Sequence, residues 1–162
     1  MASIINADTS DGLKITSDTS GQIDFQSAGS TKALIDTAGN LKFDSGYGSV
    51  ATGYGCRAWV NFNGTSTVAI RDSGNVSSVT DNGTGDYTVN FTNAMPDVNY
   101  AVVMTTTGST TTTNNLRIMQ VQGTDATGAA TKTTSAVRIL RGITHVVGAL
   151  QDGAEINVVV LR

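Results

Sequence analysis

From Leu13 to Phe43 the apolar residues fall in pairs split by a single position: Leu13 with Ile15, Ile23 with Phe25, Ala33 with Ile35, and Leu41 with Phe43. Successive side chains of an extended chain point to opposite faces, so each pair predicts one very short strand with both apolar side chains on one face. Turn clusters such as Asp18-Thr19-Ser20-Gly21 and Asp36-Thr37-Ala38-Gly39 separate the pairs. They also open an internal repeat, because Asp18-Thr19-Ser20-Gly21-Gln22-Ile23-Asp24-Phe25 parallels Asp36-Thr37-Ala38-Gly39-Asn40-Leu41-Lys42-Phe43. Beyond Cys56 the strands lengthen. Ala58, Val60 and Phe62 alternate with Arg57, Trp59 and Asn61, and Tyr87, Val89 and Phe91 alternate with Asp86, Thr88, Asn90 and Thr92. Val98 to Met104, Leu116 to Val121, Val137 to Leu140 and Ile156 to Leu161 continue the series, with Val68 to Ile70 and Val76 to Val79 as shorter members. Asn63-Gly64, Asp81-Asn82-Gly83 and Gly108 to Asn115 supply turns and loops. Many strands, regular turns and no helical period predict an all-β chain whose second region is an antiparallel β-sandwich of jelly-roll type.

The two regions differ in what they can bury. Four short strands remove too little apolar surface from water to offset an ordering cost of about 1 to 2 kcal/mol per residue. Residues 1–45 are therefore expected to be an oligomeric β stalk or anchor, with Leu13, Ile15, Ile23, Phe25, Ile35, Leu41 and Phe43 forming a core shared between copies. Residues 46–55 hold a doubled Gly-Tyr-Gly and read as a linker. Gly46 and Gly48 match only the glycine spacing of a dinucleotide-binding loop, with no long strand before them and no helix after. Residues 56–162 read as a head able to form its own core.

Composition sharpens this picture. The 162 residues are 39% hydrophobic, enough for a core, and the frequent Gly, Thr, Ser, Asn and Asp favour strands and turns. A net charge of -3 with 14% charged residues leaves no basic stripe, so nucleic acid is not an expected partner. Met1 to Asp11 lacks the basic start and apolar run of a signal peptide, and no apolar stretch reaches bilayer length. The expectation is synthesis in a host cytoplasm, without membrane insertion. A single cysteine, Cys56, has no intrachain partner, which leaves packing or other copies of the chain to supply stability.

Candidate chemistry is sparse. The single histidine, His145, lies in the apolar run Ile143-Thr144-His145-Val146-Val147, where a structural role outweighs a catalytic one. Asp residues stand mostly beside Gly, Asn, Ser or Thr, positions where the side chain caps its own turn, and no calcium-loop spacing is present. Cys56 beside Arg57 has no adjacent histidine and reads as a packed thiol. No catalytic residue, metal ligand or cofactor is expected. The polar loop Thr110, Thr111, Thr112, Thr113, Asn114, Asn115 offers hydroxyl and amide groups suited to sugar contact, and equally reads as a solvated tip.

Ala58-Trp59-Val60-Asn61-Phe62-Asn63-Gly64-Thr65, Val68-Ala69-Ile70-Arg71, Val76 to Phe91 and Ala94-Met95-Pro96-Asp97-Val98-Asn99-Tyr100 together carry a family signal. This stretch resembles a module recurring near the C-termini of tail-fibre and other structural proteins of tailed bacteriophages, notably cyanophages. Gly12 to Gly21 and its repeat resemble stalk segments of the same proteins. The resemblance implies a homotrimer on a virion surface, with no catalytic residues: a short trimeric β stalk carrying a sandwich knob. At about 3.3 Å per residue the predicted strands of residues 1–45 reach only a short way. The expectation is thus a capsid decoration or cement protein whose N-terminal region seats on the major capsid protein. The alternative is a short tail fibre or adhesin, attached to tail or baseplate proteins, whose knob binds a host-surface glycan.

Overall fold

In a computed structural model the described residues are 20–107, 117–143 and 149–162, and all their regular structure is β. The chain divides into two units, Met1–Gly53 and Tyr54–Arg162.

The N-terminal unit contains a meander in the order β1 (Ile23–Ser27), β2 (Ser30–Ile35), β3 (Leu41–Phe43), β4 (Ala51–Thr52), each antiparallel to the next. Ala28 and Gly29 join β1 to β2 with positive φ at both residues, the backbone that matches a primed turn to strand twist. Asp36 builds the next turn: one carboxylate oxygen accepts the amides of Ala38 and Asn40 at 3.0 and 2.9 Å, and Lys42 pairs with the other at 2.9 Å. Residues 46–55 are not wholly a linker. Ala51–Thr52 pair with β3, and the Gly53 amide donates to Leu41 O at 2.9 Å, so the sheet extends to the unit boundary. Gly53 is required there, because a Cβ would stand 2.7 Å from the Phe43 ring.

The second unit is a β-sandwich. One sheet runs β7 (Val76–Gly83), β8 (Asp86–Phe91), β11 (Ala136–Ile143), β10 (Arg117–Val121); the other runs β6 (Ala69–Gly74), β5 (Cys56–Asn63), β12 (Ile156–Leu161), β9 (Ala101–Thr106). Alternation sends Ala58, Val60 and Phe62 inward from one sheet with Ile156, Val158 and Val160 beside them. Tyr87, Val89, Phe91, Val137 and Ile139 meet them from the other, and the Phe62 and Tyr87 rings join the sheets edge to face at 5.2 Å. Jelly-roll connectivity does not hold. The pairs β5–β6, β7–β8 and β10–β11 lie side by side within a sheet, the first two closed by residues 64–68 and 84–85 and the third by the longer stretch 122–135, instead of each strand crossing the sandwich. The strand expected from Val98 begins only at Ala101, since Asp97 accepts the Asn99 amide at 2.7 Å and turns the chain.

Arg141 is a buried cation inside this core. Its Nε donates to Thr106 Oγ1 at 2.7 Å, Nη1 to the carbonyls of Gln151 and Asp152 at 2.9 and 2.6 Å, and Nη2 to Thr107 O at 2.9 Å. Burial, and then Arg117, push its pKa down, yet a guanidinium keeps its proton in proteins, so five N–H donors remain to be satisfied. The neighbouring Tyr87 hydroxyl sits 2.8 Å from both Gly64 O and Asp152 Oδ1, and the Gly85 amide donates to the same carboxylate oxygen at 2.7 Å. Burial first, and the Asp152 carboxylate next, push Tyr87 ionisation far above its ordinary range. Glycine is needed at Gly85 and Gly153, where a Cβ would meet Arg141 O at 2.5 Å and Arg141 Nε at 2.6 Å.

Replacing Arg141 by Met should cost about 3 kcal/mol, since three backbone carbonyls and the Thr106 hydroxyl lose donors inside the protein. Urea denaturation measures it, and a loss below about 1 kcal/mol would contradict the arrangement. Asp86 supplies a second check, because Arg138 grips its carboxylate through Nε at 2.7 Å and Nη2 at 2.5 Å. That hydrogen bonding lowers its pKa against an opposing burial penalty. Its contribution is complete above the unfolded value of about 4 and fades as pH falls through the lower folded value. The Asp86→Asn variant should therefore melt lower at pH 7 and lose less additional stability on acidification than the parent.

Candidate functional site

The cross-strand register of the N-terminal sheet aligns Ile23, Ile35 and Leu41 in one row and Phe25, Ala33, Phe43 and Ala51 in the next. Both rows share a face, because the paired residues in each strand are two positions apart. Among the described residues of the N-terminal unit no core covers this face: Phe25 is 46% exposed, Leu41 55%, Phe43 44% and Ile35 38%. No residue of the described N-terminal unit belongs to the buried hydrophobic cluster, which lies wholly in the sandwich. The opposite face carries Asp24, Leu34, Lys42 and Thr52. Charges flank the sheet as pairs, Lys32 with Asp44 at 2.8 Å and Lys42 with Asp36. Hydrogen bonding to Lys32 and Lys42 is the leading cause that holds Asp44 and Asp36 below the usual carboxylate range. Charge is thereby kept off the apolar face.

Five of the seven residues expected to form the shared core, Ile23, Phe25, Ile35, Leu41 and Phe43, thus lie together on one face. The other two, Leu13 and Ile15, lie outside the described residues, as do the Thr110–Asn115 loop and His145. The Asp residues behave as turn builders: besides Asp36, the carboxylates of Asp44, Asp81 and Asp125 accept amides two to four residues on. Asp86 and Asp152 are exceptions, paired across the fold to Arg138 and Tyr87 at sequence separations that no local pattern reveals. Cys56 is exposed, not packed, with Sγ 3.3 Å from Ala58 O, because it stands on the outward face at the start of β5. Among the described residues no three His, Cys, Asp or Glu side chains gather as a metal site would require.

The sandwich offers shallower features. A groove of about 360 Å³ on the outside of β10 and β11 is lined by Ile118, Gln120, Leu140, Gly142 and Leu150. Another, of about 320 Å³, lies between Tyr54, Asn99, Ala101, Leu161 and Arg162. Neither holds a nucleophile beside a base. No family model, curated protein or solved structure matches the chain.

The exposure pattern separates the two units energetically. Ile139→Ala should destabilise the sandwich by about 3 kcal/mol through a buried cavity, whereas Phe43→Ser should leave the sandwich transition unmoved. Chemical unfolding followed by Trp59 emission reads the sandwich alone, and a large shift caused by Phe43→Ser would contradict the separation.

Proposed function

We propose that this chain is a non-catalytic structural protein of a bacteriophage virion surface, assembling as a homotrimer through its N-terminal sheet and decorating the capsid. The unpartnered apolar face of Ile23, Phe25, Ala33, Ile35, Leu41 and Phe43 carries the reading. A face of that kind is costly in water and, being free of charge, meets copies of itself without repulsion. The virion setting rests on the resemblance of residues 58–100 and 12–21 to phage structural modules. The N-terminal region then joins the major capsid protein, and each added contact stabilises the folded assembly by mass action. Host-glycan binding by the head of a tail fibre is the competing reading.

Gold-labelled antibody on imaged particles distinguishes the two. Decoration predicts many copies over the head, and particles lacking the protein that rupture more readily while adsorbing normally. A few copies confined to the tail, with adsorption blocked by purified protein, would overturn the capsid assignment. Within the assembly, Leu41→Lys should shift the purified protein toward single chains in size-exclusion chromatography with light scattering, since three buried lysines would face one another.

A further inference from the structure

Two Asn-Gly steps punctuate the sandwich, Asn63-Gly64 and Asn82-Gly83. Asparagine before glycine is open to cyclisation, because no side chain shields the following backbone nitrogen from the carboxamide carbon. A fold permits the reaction only where both groups are free to meet, and the two steps differ sharply in this.

At Asn63-Gly64 both groups are held. The Asn63 carboxamide oxygen accepts the Thr65 amide and hydroxyl at 3.3 and 2.8 Å, and its nitrogen donates to Thr65 O at 2.8 Å. The Gly64 amide donates to Gly153 O at 2.8 Å. Gly64 is also buried against Tyr87, whose hydroxyl would stand 2.5 Å from a Cβ placed there. Ring closure at this step would break those hydrogen bonds inside packed protein.

At Asn82-Gly83 the surroundings are open. Asp81 to Thr84 are exposed, and a Cβ at Gly83 would meet nothing within 4 Å. The φ of +133° at Gly83 lies in the region that favours glycine. The ladder of β7 and β8 pairs Asp81 with Tyr87 and Gly83 with Asp86, so Asn82 is the extra residue of a bulge. The Gly83 N–H donates to Asp81 Oδ1 at 2.9 Å. That carboxylate thus rests on the one proton the nitrogen must lose in order to attack. Asn82 Nδ2, the atom that would depart, donates to Thr88 Oγ1 at 2.9 Å and to Asp86 Oδ1 at 3.3 Å.

We propose that Asn82 is a site of spontaneous deamidation, with the Asp81 carboxylate as its base. The Gly83 nitrogen bonds to Asn82 Cγ and gives its proton to Asp81. Nδ2 takes up that proton as the Cγ–Nδ2 bond breaks, and leaves as ammonia. Water then opens the resulting succinimide at either carbonyl, leaving aspartate or isoaspartate at position 82. Either product replaces the amide donor beside Asp86 by a carboxylate, and Asp86 Oδ1 is also the oxygen that accepts Arg138 Nε at 2.7 Å. Like charges repel there, so the modified sandwich should melt at a lower temperature. The proposal does not depend on how copies of the chain assemble.

The experiment incubates the full-length protein at mildly alkaline pH, folded and in urea, and follows both Asn-Gly steps by peptide mass mapping with enzymatic isoaspartate detection. Expected is conversion of Asn82 in the folded protein at least as fast as in the unfolded chain, with Asn63 converting only in urea. An Asn82 that stays an amide in the folded protein while the unfolded chain converts would overturn the proposal. In Asp81→Ala, checked for folding by far-UV circular dichroism, the folded-to-unfolded rate ratio at Asn82 should fall several-fold. A ratio equal to the parent's overturns the role given to Asp81. Should that variant misfold, the parent's own ratio decides whether Asn82 is the site.

Discussion

Among the described residues of the N-terminal unit nothing covers the apolar face of its four-stranded sheet, where Phe25, Ile35, Leu41 and Phe43 lie exposed, and that constraint governs the rest of the account. Short strands, a positive-φ turn at Ala28-Gly29 and the Asp36 turn fix the register tightly enough that every apolar residue of β1 to β3 except Leu34 lands on the same side. A slip of one residue would scatter them between faces. Local hydrogen bonds thus specify the sheet's shape, while its stability must come from elsewhere. On the proposed reading, assembly is part of folding for this region.

The sandwich is built on the opposite logic. Its apolar rows interdigitate between two sheets, and Arg141 is tolerated in the interior because the guanidinium meets four oxygens from residues 106–107 and 151–152. Those same oxygens belong to chain segments leaving β9 and approaching β12, so the cation ties two other parts of the sequence to β11. Tyr87, Asp152, Gly64 and Gly85 extend the tie to β5 and β8. A head held this way keeps its shape without partners and can present an outer face to them.

Much of this was legible in the sequence because a period of two is the direct imprint of a sheet with one apolar side. The pairs of residues 23–43 and the alternation of β5 and β8 are of this kind. Three things were not legible. Which strands neighbour one another depends on long-range pairing, and so the hairpin-rich order replaced a jelly roll. Arg141 reads as an exposed position by residue type, yet it lies on the inward face of β11, where its partners are brought from far along the chain. Finally, Val103 looks like a core residue in isolation, and only the register shows that its neighbour Val102 takes the inward position instead.

The most direct measurement of the central claim is sedimentation equilibrium on the purified full-length chain over a wide concentration range. A mass three times that of the chain, falling toward one on Leu41→Lys substitution, is the predicted result. A parent that sediments as a single folded chain at every concentration, with the face of Phe25, Leu41 and Phe43 left in water, would contradict the account.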